Sequence, residues 1–214
     1  LLLLSPPLCR ATVGATDADS DKEESFRPQT FPNPRLDLSA CGRGVPSRIC
    51  DPGGLLGADH ANKVEEFIKT VQRDTESGCG GFQIAVAITP KIDANWPTIT
   101  TPRDKAARAF AMELHHTWGV GNRECQNGIL LFISRRDRRV FISTGSGAKI
   151  ALPSNAISRV IEKMRSYLKR GDFGGATEVA VNAIAYELQR ANEDGSWWGT
   201  LETIAGWLVP LSIL

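Results

Sequence analysis

The residues of this chain with chemistry to offer are carboxylates, amides and arginines set beside glycine turns at the ends of two apolar runs. Asp51 precedes Pro52-Gly53-Gly54, a turn sequence in which its carboxylate either caps the turn or faces solvent. Asn127-Gly128 opens the run Ile129 to Ser134 and reads by spacing as a turn into a strand. Gly145-Ser146-Gly147 closes the second run, Val140 to Thr144, and could present backbone amides to an anion. The lysine and spacing of a phosphate loop are missing there. Between the runs, Arg135, Arg136, Arg138 and Arg139 crowd around Asp137, where they could meet lipid phosphate or an acidic partner, or form a solvated tip. Other chemistries fall away. His115 and His116 are neighbours on a helical pattern, about 100° apart, and cannot chelate one ion as an i,i+4 pair would. His60 falls in a first helical turn, no serine stands in a G-x-S-x-G context, and no nucleophile has an obvious base.

Those residues need a frame to hold them. Ile129 to Ser134 is wholly apolar until its end and suits a strand buried on both faces. The link 135–139 is too short for a crossover helix, so the two runs predict an antiparallel hairpin with its charges at the tip. Phe82 to Thr89 reads as a third strand, and the helical pattern from Arg103 to Trp118 joins it to Ile129 as a right-handed βαβ unit. Before it, Ala61, Val64, Phe67, Ile68 and Val71 recur at helical spacing, from Asp59 as N-cap to Ser77-Gly78 as the stop. After the hairpin, Ser154 is expected to cap a helix facing inward with Ile157, Val160, Ile161, Met164 and Leu168. The stretch Gly171 to Gly175 then leads into a last helix packing Val179, Ala180, Ala183, Ile184 and Leu188. The order α-β-α-β-β-α-α implies an α/β fold, a three-layer α/β/α sandwich with a mixed sheet.

The 214 residues, 42% of them hydrophobic with a net charge of +1, are enough for one domain with a core and give no reason to invoke nucleic acid. The ends are different. Residues 1–15, from LLLLSPPLC to Val13-Gly14-Ala15, read as the remnant of a signal peptide. Residues 16–47 read as an acidic and proline-rich linker, within which Phe26 to Pro34 should stay extended and unpacked. The domain proper is expected over 48–192. Over 193–214, Trp197-Trp198 and the apolar stretch from Ile204 read as a linker and the start of a transmembrane helix, too short by itself to span a bilayer; a terminal helix packed on the domain is the alternative. Cys9 belongs to the leader, which leaves Cys41, Cys50, Cys79 and Cys125 as an even set. In an exported domain this implies two disulfides, their pairing open. A zinc site would call for a close C-x-x-C pair, and none exists.

Taken in order, Ile49-Cys50-Asp51-Pro52, GFQIAVAI at 81–88, Phe110-Ala111, WGVG at 118–121, QNGILLFIS at 126–134, DRRVFISTGSG at 137–147 and GDFGGA at 171–176 resemble the TPM domain. That family includes thylakoid-lumen proteins of photosystem II repair, some described as weak acid phosphatases, bacterial extracytoplasmic proteins, and the animal modulator of a levamisole-sensitive receptor. The cysteines make the chain look closer to the receptor modulator. The resemblance implies the same sandwich. It also implies a metal site, because some members bind calcium at acidic loop positions: Asp51 and Asp137 match two of these, and Gln126, with Asn127 beside it, stands where many members have an aspartate.

A neutral amide in place of a carboxylate weakens any such site, so calcium is expected to bind at roughly 10⁻⁴ to 10⁻³ M and Gln126→Asp to tighten it. Two functions follow. The first is a membrane-tethered module on the extracellular or lumenal side of the secretory pathway that binds a membrane protein complex or receptor, without catalysis. The second is a metal-dependent acid phosphatase using Asp51 and Asp137. Arg135, Arg136 and Arg138, with Gly145 and Gly147, are the expected contacts to an anion or partner. The altered Gln126 position and the absent nucleophile favour the module.

Overall fold

A computed structural model describes residues 24–76, 78–96 and 103–193. Its centre is a four-stranded sheet in the order β2-β3-β5-β6, formed by β2 (Ile49–Cys50), β3 (Gln83–Thr89), β5 (Gly128–Ser134) and β6 (Arg139–Thr144). β2, β3 and β5 are parallel, with Ile84 opposite Ile129 and Thr89 opposite Ser134. β6 returns antiparallel, with Phe132 opposite Phe141. Every residue of β5 is buried, as its unbroken apolar run requires of a strand covered on both faces.

Alternation along the strands feeds two cores. Ile84, Val86, Ile88, Leu131 and Ile133 face α1 (Ala58–Asp74), α4 (Ser154–Lys169) and α5 (Phe173–Glu193). Ala85, Ala87, Leu130 and Phe132 face α2 (Arg103–Thr117), whose Phe110 stacks on Phe132 at 4.8 Å between centroids. The small alanines of β3 make room for those rings. The α/β class, the mixed sheet and the three layers are therefore as the hydrophobic pattern implies, and the one-turn helix α3 (Ala148–Ala151) is an addition to it.

The described part of the proline-rich segment corrects the linker expectation. Phe26 and Phe31 are each only 6% exposed, and Phe31 stacks on Trp118 while meeting Phe26 and Phe110 edge to face. Burial of rings of this size stabilises by about 2 kcal/mol each, enough to fix a segment that has no helical or strand period. β1 (Ser25–Phe26) also pairs in parallel with β4 (Lys91–Ile92), just after β3. The packed unit thus begins well before residue 48.

Smaller corrections concern helix ends and faces. Asp59 lies inside the first turn of α1, behind Gly57 as N-cap, and Pro153 rather than Ser154 precedes α4. α1 ends at Asp74 because Thr75 turns its hydroxyl onto the Val71 carbonyl and accepts the Phe82 N–H. Phe67 is exposed, unlike Val64, Ile68 and Val71 on the same helix. The leader with Cys9 and the apolar tail from Ile204 lie outside the described residues. Among the described residues no helix is long and apolar enough to cross a membrane.

Candidate functional site

Asp51 leaves the C-terminal end of β2 and is 6% exposed. Its Oδ2 accepts the Leu56 N–H at 2.7 Å and its carbonyl accepts Gly54 N–H, so the carboxylate closes the loop 52–56 from within. The other oxygen, Oδ1, is buried without a hydrogen-bond partner. Burial outweighs the Leu56 and Leu55 amides and raises the carboxyl above the usual aspartate range. The Cys41–Cys50 disulfide and the bond from Asp51 N–H to Cys41 O hold the position.

Asp137 sits in the β5–β6 tip, at the same C-terminal edge of the sheet, and has structural work to do there. Its Oδ2 accepts the Ile92 N–H at 2.9 Å and the Ser134 hydroxyl at 2.6 Å, tying the tip to β4 and to the end of β5. β3 runs between the two aspartates: Pro90 packs against Gly53 on one side and accepts Arg136 N–H on the other. β2 and the β5 end are two strand spacings apart, about 10 Å, and the two carboxylates serve different loops, Asp51 through Leu56 and Asp137 through Ile92 and Ser134.

Gln126 and Asn127 stand at the opposite edge, before β5, separated from Asp137 by that strand's length of about 20 Å. Gln126 has φ 50° and gives its side-chain amide to Arg123 O at 2.7 Å. Asn127 is 1% exposed; its Oδ1 accepts Asn122 N–H at 2.7 Å and its Nδ2 donates to Gly81 O at 2.7 Å. These amides brace a corner. There, a Cβ on Gly128 would strike Val120 O, and Cβ atoms on Gly145 and Gly147 would strike the carbonyls of Gln126 and Cys125. The Cys79–Cys125 disulfide staples the same corner across a separation of 46 residues. The glycines are there for backbone-to-backbone packing, and they lie the length of β6 away from Arg135, Arg136 and Arg138.

The four residues expected to hold calcium therefore do not fit one ion, and among the described residues no cluster of three or more His, Cys, Asp or Glu side chains is arranged for a metal. The grouping of Gly145 and Gly147 with the tip arginines fails for the same reason of strand length. The disulfides are present, and the folded chain pairs Cys41 with Cys50 and Cys79 with Cys125.

Two features escape a linear reading. His115 Nδ1 lies 3.1 Å from Ser143 Oγ, and burial, helped by His116, lowers the imidazole's affinity for a proton, so it is a neutral base beside a hydroxyl. Ser143 is only 7% exposed in the seam of α2 and β6, and among the described residues no carboxylate is bonded to His115; the pair joins helix to strand. The second feature is a cleft of about 940 Å³ between the hairpin tip and the ends of α4 and α5. Its walls carry Arg135, Arg136, Arg138, Arg139, Arg165 and Lys169 over an apolar floor of Val140, Ile161, Leu168 and Phe173. Only the tip arginines are adjacent in sequence. The two helical cations join them through the fold.

The sequence profile described as the TPM domain matches residues 49–187. Among solved structures, the N-terminal domain of a protein from P. gingivalis, determined by NMR, is similar with a TM-score of 0.60 and 24% identity, over 79% of this chain and 96% of that one. The BA42 protein of the psychrophilic bacterium Bizionia argentinensis aligns with a TM-score of 0.49 and 18% identity, over 63% of this chain and 82% of its own. No curated protein sequence matches the chain.

Proposed function

Because the chain belongs to the TPM domain family, we propose that it is a non-catalytic, membrane-tethered module, exposed on the extracellular or lumenal side, that binds and modulates a membrane protein complex. One observation carries this reading: the residues that would make an enzyme are dispersed over two edges of the sheet and occupied in bracing loops. Among the described residues a wide basic cleft offers a surface suited to recognition. Two disulfides agree with an oxidising compartment, and the apolar run after Trp197-Trp198 supplies the tether.

The full chain, expressed in its own host and extracted in mild detergent, is expected to migrate on native gels with a membrane protein complex. Migration at the mass of a monomer in every fraction would count against the module.

A second reading, a weak acid phosphatase, draws on Asp51 alone. A buried carboxyl with a raised proton affinity and one unpartnered oxygen at the C-terminal edge of a parallel sheet has the makings of a general acid.

A further inference from the structure

The geometry points to the cleft between the hairpin tip and the end of α4 as the docking surface for an acidic, partly apolar segment of a partner protein. The inference rests on the module reading above and names the chemistry of the partner. Three features of the cleft lead to it.

Its cations are spread and preset. Arg138 and Arg139 come from the tip, Arg165 and Lys169 from the last turns of α4, and among the described residues no carboxylate is part of the lining. Arg165 has a surface ion pair with Glu162 at 2.8 Å, both side chains well exposed, and such a pair is readily exchanged. One or two of these charges would suffice to offset the negative pole of α4 at Lys169. The rest have no such role. The tip is also held rigid, because Asp137 is bonded to both Ile92 and Ser134 and Arg138 adopts φ 53° in a turn closed on Arg135 O. Asp137 is thus a positioning residue for Arg138, and the backbone of the tip has little ordering left to lose on binding.

A compact phosphate would meet side-chain cations here but not the amides of a helix N-terminus, because that of α5, which borders the cleft, is capped from within. Asp172 Oδ1 already accepts Gly175 N–H at 2.7 Å, and Asp172 O accepts Ala176 N–H. Guanidinium groups drawn from two walls match carboxylates spaced along a chain, each able to take two parallel bonds.

The floor is apolar. Val140, Leu168 and Phe173 line it and are only partly buried, so the occupant presents hydrocarbon as well as charge. An extended peptide with alternating acidic and apolar residues has one face for each.

The test uses the full chain and a fluorescent, capped octapeptide alternating Glu and Leu, read by anisotropy. Saturable binding is expected, weakened at least about tenfold by the R138E/R139E double variant and separately by K169E. It should also weaken as salt rises from about 50 to about 200 mM. The K63E/K69E variant, with the same charge change on α1, should bind as the parent does. Near-UV circular dichroism of each variant shows whether the fold is kept, and K169E gives a reading from the other wall should the tip variant misfold. Absence of saturable binding, or equal weakening by K63E/K69E, overturns the proposal. So does binding of inorganic pyrophosphate or phosphatidylserine vesicles through Arg138 and Arg139 when the peptide does not bind. Lost peptide binding with intact migration in a membrane complex would reject this cleft and leave the module reading standing.

Discussion

Asp51 is, at the scale of one residue, a buried carboxyl that holds a loop. Its proton is bound more tightly in the folded chain than in the unfolded one, because burial disfavours the charge. The stability this lends is fully present below the unfolded value, about pH 4, and is lost as pH rises through the raised folded value. Asp51→Asn keeps an oxygen for the Leu56 N–H and removes the charge, so urea midpoints measured across that window should flatten relative to the parent. An unchanged pH profile would mean that Asp51 is ionised in the fold at no cost. Asn127 makes the opposite case, a polar residue whose position next to glycine suggests a mere turn. Its amide satisfies Asn122 N–H and Gly81 O in a buried corner, so Asn127→Ala should cost about 2 to 4 kcal/mol by chemical denaturation. Gln126→Asp returns a carboxylate to the wrong edge of the sheet. Calorimetry should find its calcium affinity equal to the parent's, and a gain that Asp51→Ala or Asp137→Ala removes would contradict the separation described above.

Among the elements, those with a long period were legible and those anchored by a few contacts were not. The unbroken apolar run of β5, the hairpin behind it and the helical spacing in α1, α4 and α5 were readable because each repeats its signal over several residues. β1, β2 and β4 are two residues each, too short for any alternation to register. The segment around Phe31 carries no period either; two rings in a proline-rich stretch hold it by burial. The candidate site misled for a different reason. Gln126 and Asp137 flank the strand already legible between them, and grouping them by resemblance set aside the length of that strand. At this scale the two disulfides should differ in effect. Chain entropy assigns about 4 kcal/mol to Cys79–Cys125, at a sequence separation of 46, and about 2.6 kcal/mol to Cys41–Cys50, at a separation of 9. Paired alanine replacements, compared by thermal unfolding, should therefore lower the midpoint more for Cys79 with Cys125. The reverse order would place the greater strain or residual structure at that bridge.

For the whole molecule, a net charge of +1 conceals a segregated surface, with arginines of the hairpin brought together with cations of α4. Such an arrangement steers partners more than it stabilises a fold. The carboxylates and amides, for all their enzyme-like types, are spread over two edges of the sheet and bonded to its loops. The most direct measurement is steady-state hydrolysis of an aryl phosphate by the full chain at acidic and neutral pH, with and without calcium or magnesium, beside the Asp51→Ala variant. Turnover is expected at the background rate for both proteins under every condition. Robust turnover by the parent that Asp51→Ala abolishes would contradict it and make the chain a phosphatase.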